Sequence, residues 1–329
     1  MRRRPFTTFA LGMVAISGGL RAQPARMPVI GYLSSQSLDS DQVFIKLIRE
    51  GLEELGFVEG KNVTMEPRYA EGRFERLPVL ARELAASRVS VIATRANAQA
   101  ALAAKEATSA IPIIFNVGVD PVEFGLVAAY NRPGGNLTGV TTTTVSLDEK
   151  RLEVLLELVP AGAPIAMLYN PTNTGSLMHA RNAQKAMHGR GRDLALVGAS
   201  TAQEIDTAFD DLARRQIAGL IVHFEAFLLT RPQQIIALAH RHRIRAVYPL
   251  RFLADGGGLV SYGPKMSDFR NLDRMLGTYI ARVLKGDRPA DLPIMSPATY
   301  ELVINRKSAN ESSFEIPASL LQRADEVIE

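Results

Sequence analysis

The chain has 329 residues, of which 47% are hydrophobic and 22% are charged, and it contains no Cys and no Trp. This is a globular composition with room for about two domains, and the lack of Cys excludes a disulfide framework, a Cys-ligated zinc, an iron–sulfur cluster and a cysteine nucleophile. Its 38 Lys and Arg exceed its 34 Asp and Glu by four. Four Arg lie within the first 22 residues, so the remainder has no excess of positive charge with which to bind nucleic acid.

The first 22 residues have the pattern of a secretory signal peptide. Arg2, Arg3 and Arg4 form a positive start, a short apolar run follows over residues 9–16, and small residues lead to Ala22. The apolar run is shorter than the roughly 20 residues needed to span a bilayer. We therefore expect export by the general secretory or the twin-arginine route, cleavage after Ala22, and a periplasmic protein without direct membrane insertion.

Strands and helices then alternate along the chain. Short apolar or alternating runs predict strands over residues 29–33, 63–69, 89–93 and 112–116. Apolar residues at helical spacing predict the intervening helices over residues 44–55, 77–84 and 96–107. This order of elements implies a parallel sheet with helices on both faces.

The same alternation restarts after a turn at residues 132–135. Predicted strands follow over 165–169, 194–197, 219–223, 245–248, 259–262 and 300–304, with helices over 175–188 and 267–284 among them. Capping boxes that begin at Ser146, Thr201 and Thr230 predict three further helix starts, and residues 317–328 are predicted to be helical. Two such arrays facing each other would place both sets of strand ends on one ligand, which suits a hinged two-lobe binder.

Sequence motifs spread over nearly the whole chain after the leader point to one family. They include Asp120-Pro121-Val122, residues 131–140 (NRPGGNLTGV), Tyr169-Asn170-Pro171, residues 257–264 (GGLVSYGP) and the closing residues 324–328 (ADEVI). In these stretches the chain resembles the ABC-transporter substrate-binding family that includes the tryptophan-uptake binding protein. The motifs occur in one order, which makes their combination more specific than any one of them.

The resemblance implies a type I periplasmic-binding-protein fold, an α/β architecture of two doubly wound parallel-sheet lobes joined by crossover segments. The predicted lobes comprise residues 27–142 plus 251–286 and residues 143–250 plus 287–329. Members of this family deliver small solutes to an ABC permease in the inner membrane, and some bind aromatic amino acids. The expected partners are therefore a small-molecule ligand and a permease, and the expected protein is a monomer that needs no cofactor, metal or covalent chemistry.

Candidate ligand contacts are the polar residues that follow predicted strands, because open α/β sheets bind ligands at the carboxyl ends of their strands. Arg95 replaces a Gly that is usual in the family, and a cation facing the cleft would favour an anionic group, whereas the alternative is a solvated surface Arg. For Thr142 the alternative is an extended linker between the lobes, which suits β-branched residues. Ordinary turn and helix capping is the alternative for the others, and we favour it for Asp120. The candidates in the first array are Ser34, Ser35, Thr94, Arg95, Asn97, Asn116, Asp120 and Thr142.

The second array contributes four more candidates, Asn170, Phe224, Arg251 and Tyr262. Phe224 and Tyr262 are placed to stack on a flat ligand, although most aromatic residues belong to the core. Arg251 has a fork geometry that clamps a carboxylate, and pairing with an acid of the protein is its alternative. Asn170 has a turn role as its alternative.

Two other functions are compatible with this sequence. Residues 198–202 lie one residue short of a nucleophile-elbow motif, so an exported α/β hydrolase would use Ser200 with Asp206 or Asp210 and with His223 or His240. The helix-capping role of the same turn is the favoured interpretation. A binder of the same fold would alternatively serve a sensor in place of a permease.

Overall fold

The structure is a computed structural model that describes residues 27–95, 97–142 and 145–329. The predicted signal peptide over residues 1–22 lies outside the described residues. Within the described ranges, every helix is too short or too polar to cross a membrane.

The first lobe is built on a five-stranded parallel sheet with the strand order β2-β1-β3-β4-β5. Its strands are β1 (Val29–Ser34), β2 (Thr64–Tyr69), β3 (Val91–Arg95), β4 (Ile113–Val117) and β5 (Leu137–Thr141). The chain order along the sheet reverses between β1 and β3, which is where a doubly wound sheet opens a crevice for ligand.

The second lobe repeats this order and adds two strands at one edge. The sheet order is β12-β11-β10-β9-β8-β6-β7, in which β11 is antiparallel to β10 and all other neighbours are parallel. Its order reverses between β6 and β8. The strands are β6 (Ile165–Tyr169), β7 (Leu194–Gly198), β8 (Gly219–Val222), β9 (Arg245–Tyr248), β10 (Val260–Pro264), β11 (Tyr300–Asn305) and β12 (Glu326–Ile328).

Helices cover both faces of each sheet. Short 3₁₀ turns at Phe74–Arg76 and Pro289–Asp291 complete the regular structure of the described residues. The helices are α1 (Leu38–Glu53), α2 (Leu77–Ala86), α3 (Ala98–Ala107), α4 (Val145–Leu158), α5 (Thr174–Gly189), α6 (Ala202–Arg214), α7 (Ala226–Leu229), α8 (Pro232–Arg241), α9 (Arg251–Asp255), α10 (Met266–Leu284), α11 (Arg306–Glu311) and α12 (Ala318–Arg323).

Each lobe has a core on both sides of its sheet, which explains why the strands read as continuous apolar runs. Along β1, Leu33 enters the core under α2 and α3, whereas its neighbour Tyr32 enters the core under α1 and α10. Along β6, Leu168 and Met167 divide in the same way between two cores. Successive strand residues point to opposite faces, so a strand covered on both sides is apolar at every position.

The lobe boundaries differ from the predicted ones in two segments. Residues 251–264 belong to the second lobe, because β10 pairs with β9 and β11 and α9 packs on them. Residues 287–295 stay with the first lobe, because the strand bridge between Met295 and Val140 fastens them to β5. After β10 the chain returns to the first lobe as the long helix α10, which packs against α1.

Two predicted local structures are also corrected. Thr201 caps α6 as predicted, but Thr230 does not cap the start of α8. It instead ends α7, where its hydroxyl donates to the Phe227 carbonyl over 2.7 Å. Residues 317–328 are helical only through Arg323 and then form β12, which pairs with β11. An available sheet edge overrides the local helical preference of this segment.

A candidate ligand-binding cleft between the lobes

The carboxyl ends of the strands in both sheets converge on a cavity of about 340 Å³ between the lobes. The first lobe lines it with the start of α1, the residues after β3 and β4, and one face of α10. The second lobe contributes the start of α5 and the residues that follow β8 and β9. A volume of this size is at the lower end of the range for small-molecule sites.

One part of this cavity is apolar and aromatic. Four phenylalanines line it, Phe44 from α1 and Phe269 from α10 on one lobe, and Phe224 and Phe252 on the other. The rings of Phe224 and Phe269 meet edge to face with their centroids 5.9 Å apart. Gly118 of the first lobe lies beside the Phe224 ring, since a Cβ atom there would be 3.4 Å from it. Flat aromatic faces on opposite lobes provide a surface for a planar solute.

The lobes touch each other along the rim of the cavity. Gln99 Nε2 in α3 donates to Thr174 Oγ1 in α5 over 2.7 Å. Asn182 Nδ2 in α5 donates to Glu123 Oε1 of the first lobe over 3.0 Å. These polar contacts join the two lobes directly.

Arg95 lines the cavity from the first lobe, and two aspartates of the same lobe balance its charge. It is 5% exposed, and its Nε and Nη1 donate to Asp273 Oδ1 and Asp41 Oδ1, each over 3.2 Å. Asn116 Nδ2 donates to the same Asp273 oxygen over 2.7 Å, and the guanidinium lies over the Phe44 ring. Burial raises the pKa of Asp273, and the Arg95 charge opposes that shift.

This arrangement fits neither predicted role of Arg95. The residue lines the cavity, so it is not a solvated surface Arg. Its charge is shared between Asp41 and Asp273 of its own lobe, so it does not offer an uncompensated cation to an anionic ligand. A buried guanidinium requires such partners, because an unpaired charge in the interior is expensive.

Side chains cap α3, α5 and α7 at the ends that face the cavity. Asn97 Oδ1 accepts from the backbone N–H groups of α3, and Asn173 Oδ1 does the same for α5. Glu225 caps α7 and also accepts from Asn173 Nδ2 over 3.1 Å. Burial raises the pKa of Glu225, while the hydrogen bond from Asn173 opposes the rise.

A second buried polar cluster forms the wall of the other lobe. Asp148 accepts from Arg151 Nη1 over 2.9 Å, and its other oxygen lies 3.0 Å from His179 Nδ1 and 3.8 Å from His223 Nδ1. Arg151 Nε also donates to the carbonyl of Tyr262. All four charged or titratable side chains are buried, and the imidazole of His223 lines the cavity.

The contacts within this cluster determine the protonation states of Asp148 and His223. Burial by itself would raise the pKa of Asp148, but the hydrogen bond with His179 and the charges of His223 and Arg151 outweigh it and leave this pKa well below its usual range. Burial lowers the pKa of His223 to about 3, and Asp148 opposes that shift. Near neutral pH the wall therefore holds a carboxylate beside a neutral imidazole.

Sequence reasoning missed His223 as a cleft residue and considered it only as a partner of Ser200. A positional signal was present, since His223 directly follows β8 just as Arg95 ends β3. The predicted candidates that do line the cavity are Arg95, Asn97, Asn116, Thr142 and Phe224.

The remaining candidates of the first lobe serve local structure. Ser34 Oγ accepts from the N–H of Gln36, and Ser35 Oγ accepts from its side-chain amide; both serines are fully buried. Thr94 is buried within β3 and does not line the cavity. Asp120 accepts from the two N–H groups that follow Pro121, which is the capping role favoured from the sequence.

The remaining candidates of the second lobe also lie outside the cavity lining. Asn170 Oδ1 accepts from both the N–H and the hydroxyl of Thr172 in a turn. Arg251 forms a two-pronged pair with Glu326 at the surface, with Nη2 2.6 Å from Oε1. Tyr262 stacks on Tyr300 with centroids 6.4 Å apart. The acid partner of Arg251 belongs to its own lobe, so the predicted carboxylate clamp is not formed.

Ser200 is engaged in helix capping. Its hydroxyl and its N–H both contact Glu204 Oε2, each over 2.7 Å, at the exposed start of α6. The His240 ring instead contacts Ser312 and the carbonyl of Gly257, and His223 lies at the cleft. The described residues therefore do not assemble a Ser–His pair at this turn, nor do they contain a cluster of three His, Asp or Glu fit for a metal ion.

The chain belongs to the ABC transporter substrate binding protein family, whose family model matches residues 27–328. This confirms the resemblance found in the sequence motifs. It is also similar to a tyrosine-binding protein of Clostridioides difficile, with 26% identity over 256 residues that make up 78% of this chain and 72% of that protein.

Solved structures share the fold. A conserved domain protein of Vibrio cholerae has a TM-score of 0.79 and 21% identity, covering 92% of this chain and 100% of that one. The ABC domain of a Streptococcus protein in complex with L-Trp has a TM-score of 0.77 and 24% identity, covering 92% and 99%. The predicted two-lobed α/β fold is thereby confirmed.

Proposed function

We propose that this protein is the exported solute-binding component of an ABC importer and delivers a small molecule with a planar, apolar body to a permease. The observation that carries the proposal is the cavity between two lobes, which is lined by aromatic rings from both lobes and by buried polar groups. Membership of the substrate-binding family supports the transport role.

We propose aromatic amino acids as the first solutes to test. The Clostridioides difficile relative is named for tyrosine, and the Streptococcus structure holds L-Trp. In this chain, Phe44, Phe224, Phe252 and Phe269 would enclose the ring. The hydrogen-bonding groups of Asn116, Thr142 and Ser176 would face the polar end of the solute, since they line the same cavity.

Lobe closure is the proposed mechanism. A solute that contacts both lobes stabilises the closed form relative to an open one, and the permease would recognise that closed form. Contacts such as Gln99–Thr174 form only when the lobes meet, so they add to the free energy of closure. No bond of the solute needs to change.

Thermal unfolding with and without solute tests this proposal. Free solute at about 100 times its Kd should stabilise the protein by about 2.7 kcal/mol, which raises the Tm by a few degrees. The panel comprises L-tyrosine, L-tryptophan, L-phenylalanine, aliphatic amino acids and small sugars. A panel in which the aromatic amino acids leave the Tm unchanged would contradict the proposed solute class.

A substitution in the cavity lining tests whether the solute binds in the cleft. Phe252 is 36% exposed and lines the cavity, so Phe252→Ala should weaken solute binding several-fold with little loss of stability. Val79→Ala is the matched control, because Val79 is 50% exposed on α2 and does not line the cavity. Equal affinities of these two variants, measured by calorimetry, would locate binding elsewhere.

A further inference from the structure

His223 is a buried imidazole without a hydrogen-bond partner. It is 3% exposed, and its Nδ1 is buried and lies 3.8 Å from the nearest Asp148 oxygen, beyond hydrogen-bonding distance. Within the described part of the chain, no hydrogen bond reaches either of its ring nitrogens. Buried polar groups are normally paired, so an unpaired imidazole on the wall of a ligand cavity needs an explanation.

The position of the ring indicates which nitrogen is available to a ligand. Nδ1 is the nitrogen on the side of Asp148 and is inaccessible, which leaves Nε2 as the accessible nitrogen of a side chain that lines the cavity. A neutral imidazole carries one proton, and the nearby carboxylate favours that proton on Nδ1. Nε2 is then a hydrogen-bond acceptor.

The neighbours of His223 hold this arrangement in place. Asp148 is fixed by Arg151 on one oxygen and by His179 on the other, and the rings of His179 and His223 lie 5.1 Å apart. His179 also has an unpaired nitrogen, Nε2, but His179 does not line the cavity. His223 is therefore the member of the cluster that can meet a solute.

We infer that His223 Nε2 accepts a hydrogen bond from an O–H or N–H group of the solute and so determines which solutes the cleft selects. This inference rests on the proposed solute-binding function and adds the polar chemistry of the solute to it. A site built to receive a donor discriminates strongly against an analogue without one, because its own buried acceptor is then left unpaired.

Affinity ratios for three pairs of probes test the inference and identify the donor. L-Tyrosine against L-phenylalanine removes a ring O–H, L-tryptophan against 1-methyl-L-tryptophan removes a ring N–H, and L-phenylalanine against 3-phenylpropanoate removes the ammonium group. In the native protein, one pair should favour the donor-bearing probe by about tenfold or more. In His223→Leu that ratio should fall to about twofold.

Two control variants accompany this measurement. His223→Gln retains an acceptor oxygen and should restore part of the ratio, whereas the exposed His188→Leu should leave it unchanged. Ratios that are the same in the native protein and in His223→Leu for all three pairs would overturn the inference while leaving the proposed function intact. Failure of every probe to bind the native protein would overturn the proposed solute class, and the inference with it.

A measurement on the native protein avoids any folding defect of the variants. With ¹⁵N-labelled histidine, His223 should show a protonated Nδ1 and an unprotonated Nε2 in the NMR spectrum. Saturation with the best donor-bearing probe should shift the Nε2 resonance in the direction of an accepted hydrogen bond. An Nε2 that is protonated, or a resonance that the probe does not move, would contradict the assignment.

Discussion

Arg95 and His223 occupy equivalent places in the two lobes. Arg95 ends β3 and His223 follows β8, and each of these strands borders the point where its sheet reverses order. Their surroundings give them opposite chemistry. Arg95 is a cation whose charge two aspartates balance, whereas His223 is a neutral imidazole whose nitrogens lack partners.

Removing Arg95 should be strongly destabilising. Arg95→Ala would leave Asp41 and Asp273 buried without a counter-charge, at an expected cost of about 3–5 kcal/mol in the free energy of unfolding. Urea unfolding measures this cost. In the double variant Arg95→Ala with Asp273→Asn, the loss should be smaller than the sum of the single losses, because one of the two carboxylates that Arg95→Ala leaves unpaired is gone.

The control for Arg95 is an exposed ion pair. Arg49 pairs with Glu59 at the surface, so Arg49→Ala should cost about 1 kcal/mol or less. If Arg95→Ala were no more destabilising than Arg49→Ala, the pairing of Arg95 with Asp41 and Asp273 would not stabilise the fold.

His223 should also make stability depend on pH. Its pKa is lowered by burial from 6.5 to about 3, with His179 and Arg151 adding to the shift and Asp148 opposing it. Below pH 6.5 the unfolded chain takes up a proton that the folded protein does not, so stability falls as the pH falls from 6.5 to 3. The expected slope is about 1 kcal/mol per pH unit.

Free energies of unfolding between pH 4 and 7.5 measure this slope. The native protein should lose stability with acid faster than His223→Gln, which has no proton to exchange at this position. Glu225 and Asp273 titrate in both proteins and cancel in the difference. Parallel curves for the two proteins would show that His223 keeps an ordinary pKa.

Among the elements, α10 decides how the first lobe is assembled. It leaves the second lobe after β10 and crosses α1 so closely that the helices meet backbone to backbone. A Cβ atom at Gly51 would lie 2.0 Å from the Arg274 carbonyl oxygen, and one at Gly277 would lie 2.0 Å from the Ile48 carbonyl oxygen. Only glycine permits this approach, because any side chain would push the helices apart.

Gly277→Ala should therefore destabilise the protein by about 1–3 kcal/mol or more, as overpacked cores do. Gly189→Ala is the matched control, since Gly189 also lies in a helix but has open space around it. There the better helix propensity of Ala should leave stability unchanged or raise it by up to about 1 kcal/mol. Chemical unfolding measures the free energy of unfolding of both variants. Equal changes in this free energy would contradict the close packing of α1 and α10.

The whole molecule consists of two lobes built on similar sheets, and the proposed function requires these lobes to close on a solute. Both lobes have the same strand order around the reversal point, and the added strands β11 and β12 lie at the far edge of the second sheet. The cavity forms between the two sets of strand ends. The two lobes thus place side by side residues that are more than a hundred positions apart in the chain, such as Gly118 and Phe224.

Cysteine crosslinking should report this closure, because the native chain contains no Cys. Glu123 and Asn182 contact each other across the rim, so the Glu123→Cys, Asn182→Cys variant should crosslink faster with a short bifunctional reagent when L-tyrosine or L-tryptophan is bound. Lys150→Cys, Glu153→Cys is the control within α4 and should crosslink at the same rate with or without solute. A rate across the rim that solute does not change would contradict closure on binding.

The alternation of strands and helices, the two-lobed class and the sheet edge at which the cavity lies could all be predicted from the amino-acid pattern. This was possible because strands buried on both faces must be apolar at every position, and because parallel strands end at one edge. The pattern also placed Asn116 and Phe224 at the cleft, since both follow strands directly.

Which polar residues line the cavity and which are already paired could not be predicted in this way, because both depend on packing between distant segments. Arg95 carries the same charge in any sequence, yet Asp41 and Asp273 cancel it only because α1 and α10 fold over β3. His223 lines the cavity with one side of its ring buried, because Asp148 and His179, far away in the chain, pack against that side. Likewise residues 326–328 became a strand because β11 offered an edge. Each of these outcomes depends on contacts between distant segments, and a local pattern contains no information about such contacts.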